Sequence, residues 1–308
     1  MAVDEPALSE FDLSAASAEE GIAAGAGQAA PVQTGRPPVA ASGAPGRPPL
    51  DFKPVFDETW ATIGIGAGLV PSYSGSDDYI FFPLPLIVGR VGGVGISPNG
   101  PGFNLDLLSQ GPSRGAPETT FSFGPSFRFR NDRADQIEDE VVELAEELDV
   151  AIEVGVNGGV SIPGVLSAYD RLGINAQVRW DVLGAHDGML FEPGVTYLTP
   201  VNPGIAVQLA VNAQFVDDDF ADYYYTVTFA DAAATGLAEF TADGGLNSLG
   251  TLAIVTVDLD GNILNGGFNV YALGGYSRLI GDAADTPFTA DRGSANQFIG
   301  GLGVGYTF

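Results

Sequence analysis

The sequence predicts an all-β fold, a transmembrane antiparallel up-and-down β-barrel of about twelve strands, and four observations carry that reading. Stretches of roughly 9 to 15 residues with period-two hydrophobicity recur from Thr59 to the C-terminus, separated by Gly, Pro, Asp and Asn clusters. The composition is glycine-heavy and charge-poor, with 43 Gly, 21 Pro, and 45% hydrophobic against 17% charged residues. No run approaches the roughly 20 consecutive apolar residues that a spanning helix needs, so a membrane protein of this sequence has to be a barrel. Finally, the chain ends on a strand with Phe298, Leu302, Val304, Tyr306 and Phe308 on one face and Gly301, Gly303, Gly305 and Thr307 on the other.

Residues 1–50 are rich in Ala, Gly, Pro and Ser and cannot bury enough apolar surface to offset the entropy of ordering, which predicts a disordered tail ahead of a barrel domain at 51–308. Met1 is followed by neither a basic nor an apolar segment, so no secretory signal is visible. The strands are expected near Thr59 to Val70, Tyr79 to Val88, Val94 to Leu107, Thr119 to Arg130, Asp149 to Ser161 and Val165 to Asp181. They continue near Met189 to Thr199, Ile205 to Val216, Asp222 to Ala230, Leu249 to Asp258, Leu264 to Arg278 and Ala295 to Phe308. The pattern is cleanest where Leu172, Ile174, Ala176, Val178 and Trp180 alternate with Gly173, Asn175, Gln177, Arg179 and Asp181, and it predicts inward faces that are polar throughout.

With both termini periplasmic, counting these strands places Pro71 to Asp78, Leu108 to Glu118, Asp231 to Gly245 and Gly281 to Ser294 outside the cell. Gly92-Gly93 and Leu259 to Asn262 become periplasmic turns. Asn131 to Leu148 also counts as periplasmic, and Ile137, Val141, Leu144, Ala145 and Leu148 stand at helical spacing. A short periplasmic helix follows, packing on the barrel mouth or docking a partner.

The formal charge of −27, from 39 acids and 12 bases, opposes binding to nucleic acid. The absence of cysteine removes thiol chemistry and suits an oxidising compartment. Alternation puts Arg128, Arg130, Glu153, Arg171, Arg179 and Glu192 inside the barrel, where opposite charges on neighbouring strands can pair. Two readings stay open: a selectivity constriction around a water path, or close interior packing supported by inward Gly64, Gly66, Gly68, Gly301 and Gly303. Catalytic residues are not expected. The one histidine, His186, lies in a Gly- and Asp-flanked turn and reads as solvated, and no metal or cofactor is expected. The acidic clusters Asp77-Asp78, Asp217 to Asp219, and Asp282 with Asp285 read as solvated surface. Trp60, Tyr79, Trp180, Tyr197, Tyr223 to Tyr225, Tyr276 and Tyr306 read as interfacial girdles.

Several stretches resemble the MipA/OmpV family of outer-membrane proteins, also called the MltA-interacting protein family. They are Val70-Pro71-Ser72-Tyr73-Ser74-Gly75-Ser76-Asp77-Asp78-Tyr79 with Pro83-Leu84-Pro85, Gly124 to Arg128, Leu148 to Gly155, and Gly275 to Pro287. The resemblance runs from about Thr59 to Phe308. It implies the outer membrane of a Gram-negative bacterium, with lipid and lipopolysaccharide around the barrel. It also implies a structural, scaffolding role between murein-cleaving and murein-synthesising enzymes, the alternative being a narrow porin-like channel for small solutes. Tyr306 and Phe308 resemble the C-terminal signal read by the barrel assembly machinery.

Overall fold

The last strand, β12 (Asn296–Thr307), pairs with the first, β1 (Trp60–Pro71), from Thr62↔Thr307 to Leu69↔Gly300, and this antiparallel seam closes the barrel. Main-chain bonds between Phe308 and Ala61, both 3.0 Å, extend it to the final residue. The computed structural model describes residues 54–57, 59–108, 118–134 and 136–308. The chain divides into two units, 1–47 and 48–308; the tail expected over residues 1–50 lies outside the described residues.

Between the closing pair, strands follow in sequence order around the wall. They are β2 (Tyr79–Val91), β3 (Val94–Pro98), β4 (Gly102–Asp106), β5 (Thr120–Arg130), β6 (Ala151–Pro163), β7 (Arg171–Asp181), β8 (Met189–Asn202), β9 (Ile205–Val216), β10 (Gly245–Asp258) and β11 (Gly267–Leu279). The outward residues are apolar and bare, among them Ile65 at 68%, Phe121 at 65% and Leu302 at 65% exposure. Among the described residues that face has no protein partner, and a hydrocarbon layer supplies one.

Twelve strands is the expected number, reached through two compensating differences. Val94 to Leu107 is not one strand but the β3–β4 hairpin, turned at Asn99-Gly100-Pro101, with Gly100 at φ +57°. Asp222 to Ala230 is not a strand but parts of two helices, α1 (Asp218–Tyr225) and α2 (Phe229–Thr235). Asp217 accepts the Phe220 N–H at the start of α1, and Thr228 and Asp231 form a full capping box on α2. These caps satisfy orphan helix donors and override the strand preference of Tyr223-Tyr224-Tyr225-Thr226-Val227.

The first difference reverses the side of every connection between residues 107 and 217. Leu108 and Glu118 lie at the end where β1 begins and β12 finishes. Asn131 to Leu148 lies at the opposite, far end, along with residues 72–78, 182–188, 217–244 and 280–295. Nor is Asn131 to Leu148 an amphipathic helix. It forms a single 3-10 turn at Val142–Leu144, with Val142 fully buried and Leu144 59% exposed.

The far-end connections pack into a cap. One apolar cluster joins Phe220, Ala221, Tyr224 and Tyr225 of α1 to Leu190, Val216, Leu279 and Ala283. A second joins Tyr73, Val142, Val227 and Phe288, with Ile137 against it. Tyr223 to Tyr225 therefore build the cap rather than a girdle, and burial pushes the Tyr225 hydroxyl up to about 12. The last connection adds α3 (Asp282–Asp285) and α4 (Pro287–Ala290), and Thr286 donates to Tyr225 O at 2.7 Å. The acidic residues here are acceptors more than free surface: Asp217 also takes the Met189 N–H, Asp218 that of Gly244, and Asp282 that of Asp243.

The inward faces are not polar throughout. Alternation turns Ile80, Phe82, Leu84, Leu86 and Val88 of β2 inward, because they meet the glycine faces of β1 and β12. Leu84 lies over Gly68 and Gly301, and Tyr271 over Gly66 and Gly303, donating to Leu84 O at 3.1 Å. The glycines make room for large side chains reaching across the lumen.

Candidate functional site

The most concentrated charge in the described residues is a ladder on the inner wall beneath the cap. In successive antiparallel strands, Arg128 and Arg130 of β5, Glu153 of β6, Arg179 of β7 and Glu192 of β8 fall on the inward parity within about a turn of one another in height. Glu153 receives Arg130 Nε at 2.6 Å on Oε1 and Arg179 Nε at 3.0 Å on Oε2. Arg179 Nη2 continues to Glu192 Oε2, and Glu192 Oε1 takes Arg128 Nη1 at 3.3 Å and Gln214 Nε2 at 3.0 Å. Asn247 then donates to Gln214 Oε1 at 2.7 Å, carrying the network to β10.

Arg179 and Glu153 are wholly buried. Charges so placed are tolerated only when paired, and here each carboxylate holds two guanidinium groups. Three arginines face two glutamates, leaving one positive charge in excess. Arg128 Nε, Arg130 Nη2 and Arg179 Nη1 have no hydrogen-bond partner among the described atoms. Above the ladder, the Arg130 guanidinium lies 4.9 Å from the Phe220 ring centre and 5.6 Å from that of Tyr224, so the aromatic underside of the cap takes part of its charge.

His186 belongs to this site and is not solvated. Its ring is buried, T-shaped on Phe220 at 5.0 Å. Gly188 N–H donates to Nδ1 at 3.0 Å, which leaves the proton on Nε2, 3.8 Å from Glu153 Oε1. The Asp181 carboxylate holds the turn by accepting the N–H groups of Leu183, His186 and Asp187. The sequence signal was Asp181 at the strand end, an acceptor able to fold the next six residues back over the lumen.

Below the ladder the lumen is crossed a second time. Asn99, in the β3–β4 turn, donates to Gln177 Oε1 on β7 at 3.0 Å, and Asn104 donates to the same oxygen at 3.3 Å. Arg171 stands apart from the other five expected lumen charges. It lines a cavity of about 240 Å³ in the half where β1 begins, with Ser122, Ser161, Asn175, Thr196, Leu198 and Gln208.

The four residues expected on a docking helix are divided by the structure. Ile137 packs against the second cap cluster, Leu148 against the first, Val141 is half-buried and Leu144 is exposed. Tyr306 and Phe308 lie on the lipid face at the closing seam, at 45% and 58% exposure. Among the described residues no group of three or more His, Asp or Glu is arranged to hold a metal ion.

No curated protein matches the chain. A solved outer membrane channel from Pseudomonas putida F1 is similar at 14% identity and a TM-score of 0.41, over 85% of this chain and 100% of that one. The family model described as MltA-interacting protein MipA matches residues 63–308. That match begins within β1 and runs to the last residue, taking in the closed wall, the ladder and the cap: this outer-membrane β-barrel belongs to the MltA-interacting protein MipA family.

Proposed function

We propose that the protein is a non-conducting structural and interaction barrel, held in the outer membrane to present its terminus end to murein-cleaving or murein-synthesising enzymes. The observation that carries the reading is the double closure of the far half of the lumen, by the buried Arg–Glu ladder and by the cap packed on it. Passage through it requires breaking buried ion pairs, each costing about 3 to 5 kcal/mol when one partner is stranded. The cavity around Arg171 is then a blind vestibule rather than a pore.

The partner class rests on the family's name together with the surface at that end. Short turns and the C-terminus mark the periplasmic side of such barrels. There Leu166 is 80% and Leu259 64% exposed, beyond the strands that the bilayer covers. Residues 131–148, at the far end, are not part of that surface.

Two measurements test the reading. In planar bilayers the purified barrel is expected to carry no steady current; a stable, salt-dependent conductance that changes with Arg128→Gln would establish the narrow channel instead. A photo-crosslinking residue at Leu166 or Leu259 in intact envelopes is expected to capture a murein enzyme, and one at Leu144 is not. Equal capture from Leu144 would reverse the orientation.

A further inference from the structure

The wall has a gap on one side. β2 pairs with β1 over its whole length but with β3 only from Gly89 to Val91. β4 follows β5 along most of its length, from Phe129 N–H on Pro101 O at 3.0 Å, through Gly102↔Arg128 and Asn104↔Ser126, to Leu107 N–H on Phe123 O at 2.9 Å. Above the short β3–β4 hairpin, residues 79–87 of β2 have no strand on their edge away from β1 among the described residues. The wall therefore has a notch above the hairpin, along the upper half of β2 and within the lipid-facing band.

The notch is built not to accept another strand. Ser72 N–H donates to Asp78 O at 2.9 Å, which turns the even-numbered residues of β2 toward β1 and the main chain of the odd-numbered ones to the open edge. Pro83 and Pro85 fall on the odd set, so two of the donors a docking strand would use do not exist. Phe81, at 80% exposure, marks the outer lip. Behind the lip lie half-buried Ile80, Phe82 and Leu84. The lower lip is the hairpin turn, where Gly100 lies beside the Arg128 guanidinium. Of the three ladder arginines, Arg128 is the most exposed, at 22% against 10% for Arg130 and none for Arg179. Among the described residues its only ion pair is with Glu192, a carboxylate it shares with Arg179.

We propose that this notch binds an anionic membrane lipid, which enters sideways from the surrounding leaflet, lays an acyl chain against Ile80, Phe82 and Leu84, and sets its phosphate on Arg128. Apolar walls at bilayer depth select a chain; a part-exposed guanidinium at the hairpin turn, whose one carboxylate partner is shared with Arg179, selects a negative head. The prolines turn away a strand from a second copy.

The test uses the full-length barrel in nanodiscs, with Trp60 and Trp180 replaced by Phe and a single reporter introduced by Phe82→Trp, on the inner face. Brominated acyl chains quench indole emission at contact. Quenching by brominated phosphatidylglycerol is expected to exceed that by brominated phosphatidylcholine about fivefold, the scale of one partly desolvated charge pair. Arg128→Gln should abolish the preference, and Arg128→Lys should keep most of it. Phe81→Trp, on the outer lip, should be quenched by either lipid. No quenching of the Phe82→Trp barrel would overturn the site. Equal quenching by both lipids would overturn the role of Arg128. Should Phe82→Trp fail to fold, native mass spectrometry of the unaltered barrel decides: retained phosphatidylglycerol that Arg128→Gln loses supports the site, and none retained rejects it.

Discussion

At the scale of single residues, the ladder is most sensitive at Glu153, whose two oxygens hold Arg130 and Arg179. Glu153→Gln is expected to destabilise the folded barrel by about 3 kcal/mol, because two buried guanidinium groups lose their counter-charge together. Urea titration of barrels folded into micelles measures it, and adding Arg130→Gln should recover part of the loss. A second prediction concerns space. A methyl group on Gly303 would run into the Tyr271 ring, so Gly303→Ala should weaken the barrel in the native background and be nearly neutral alongside Tyr271→Ala. Strand parity alone placed five of the six expected lumen charges in one network, since period-two alternation fixes which side chains meet. It could not place His186, because a turn residue's direction depends on which acceptor folds the turn. It also misread the apolar inner face of β2, which is legible only once β1 and β12 offer it glycines.

At the scale of elements, the cap depends on contacts between connections far apart in sequence. Arg292 holds Asp139 with a 2.7 Å bond, and Val141 and Val142 donate their N–H groups to the same carboxylate. Burial works against that carboxylate, but Arg292 and the two N–H groups outweigh it and hold its titration below the usual range. A group depressed in this way lends stability above its unfolded pKa, about 4, and the contribution is lost as pH falls below that. Proteolysis of residues 131–150 should therefore accelerate below pH 4, and Arg292→Gln, which removes much of the depression, should speed cleavage above pH 4 and flatten its pH dependence. The helices of this cap were hidden from a pattern reading for a physical reason. Tyr223 to Val227 has the aromatic and β-branched makeup of a strand, and capping by Asp217 and Thr228 together with burial under Leu279 decided otherwise. The β3–β4 turn was hidden differently: Pro98, Asn99, Gly100 and Pro101 announce it, yet the flanking strands are only five residues each and read as one.

At the scale of the whole molecule, closure rests on β12, whose end is fastened to β1 by the Phe308–Ala61 pair and the Thr62–Thr307 hydroxyl contact at 2.7 Å. Removing Tyr306 to Phe308 is expected to block assembly; a barrel that still inserted and migrated in a heat-dependent way would show that the final residues are dispensable. The barrel class was legible because lipid outside and water or packed polar groups inside impose alternation on most spanning strands, β2 being the exception. The orientation of individual connections was not, since each depends on an unbroken count. The fastening between residues 72–78 and 280–295 has a consequence for biogenesis. Ser294 N–H donates to Gly75 O at 2.7 Å, and Tyr73 donates to Phe288 O at 3.1 Å, so the earliest and latest connections of the chain meet in the cap. These contacts form only after the first and last strands have joined. An intact cap is thus a record that the ring is complete, and a barrel stalled one strand short leaves these connections apart, open to envelope proteases.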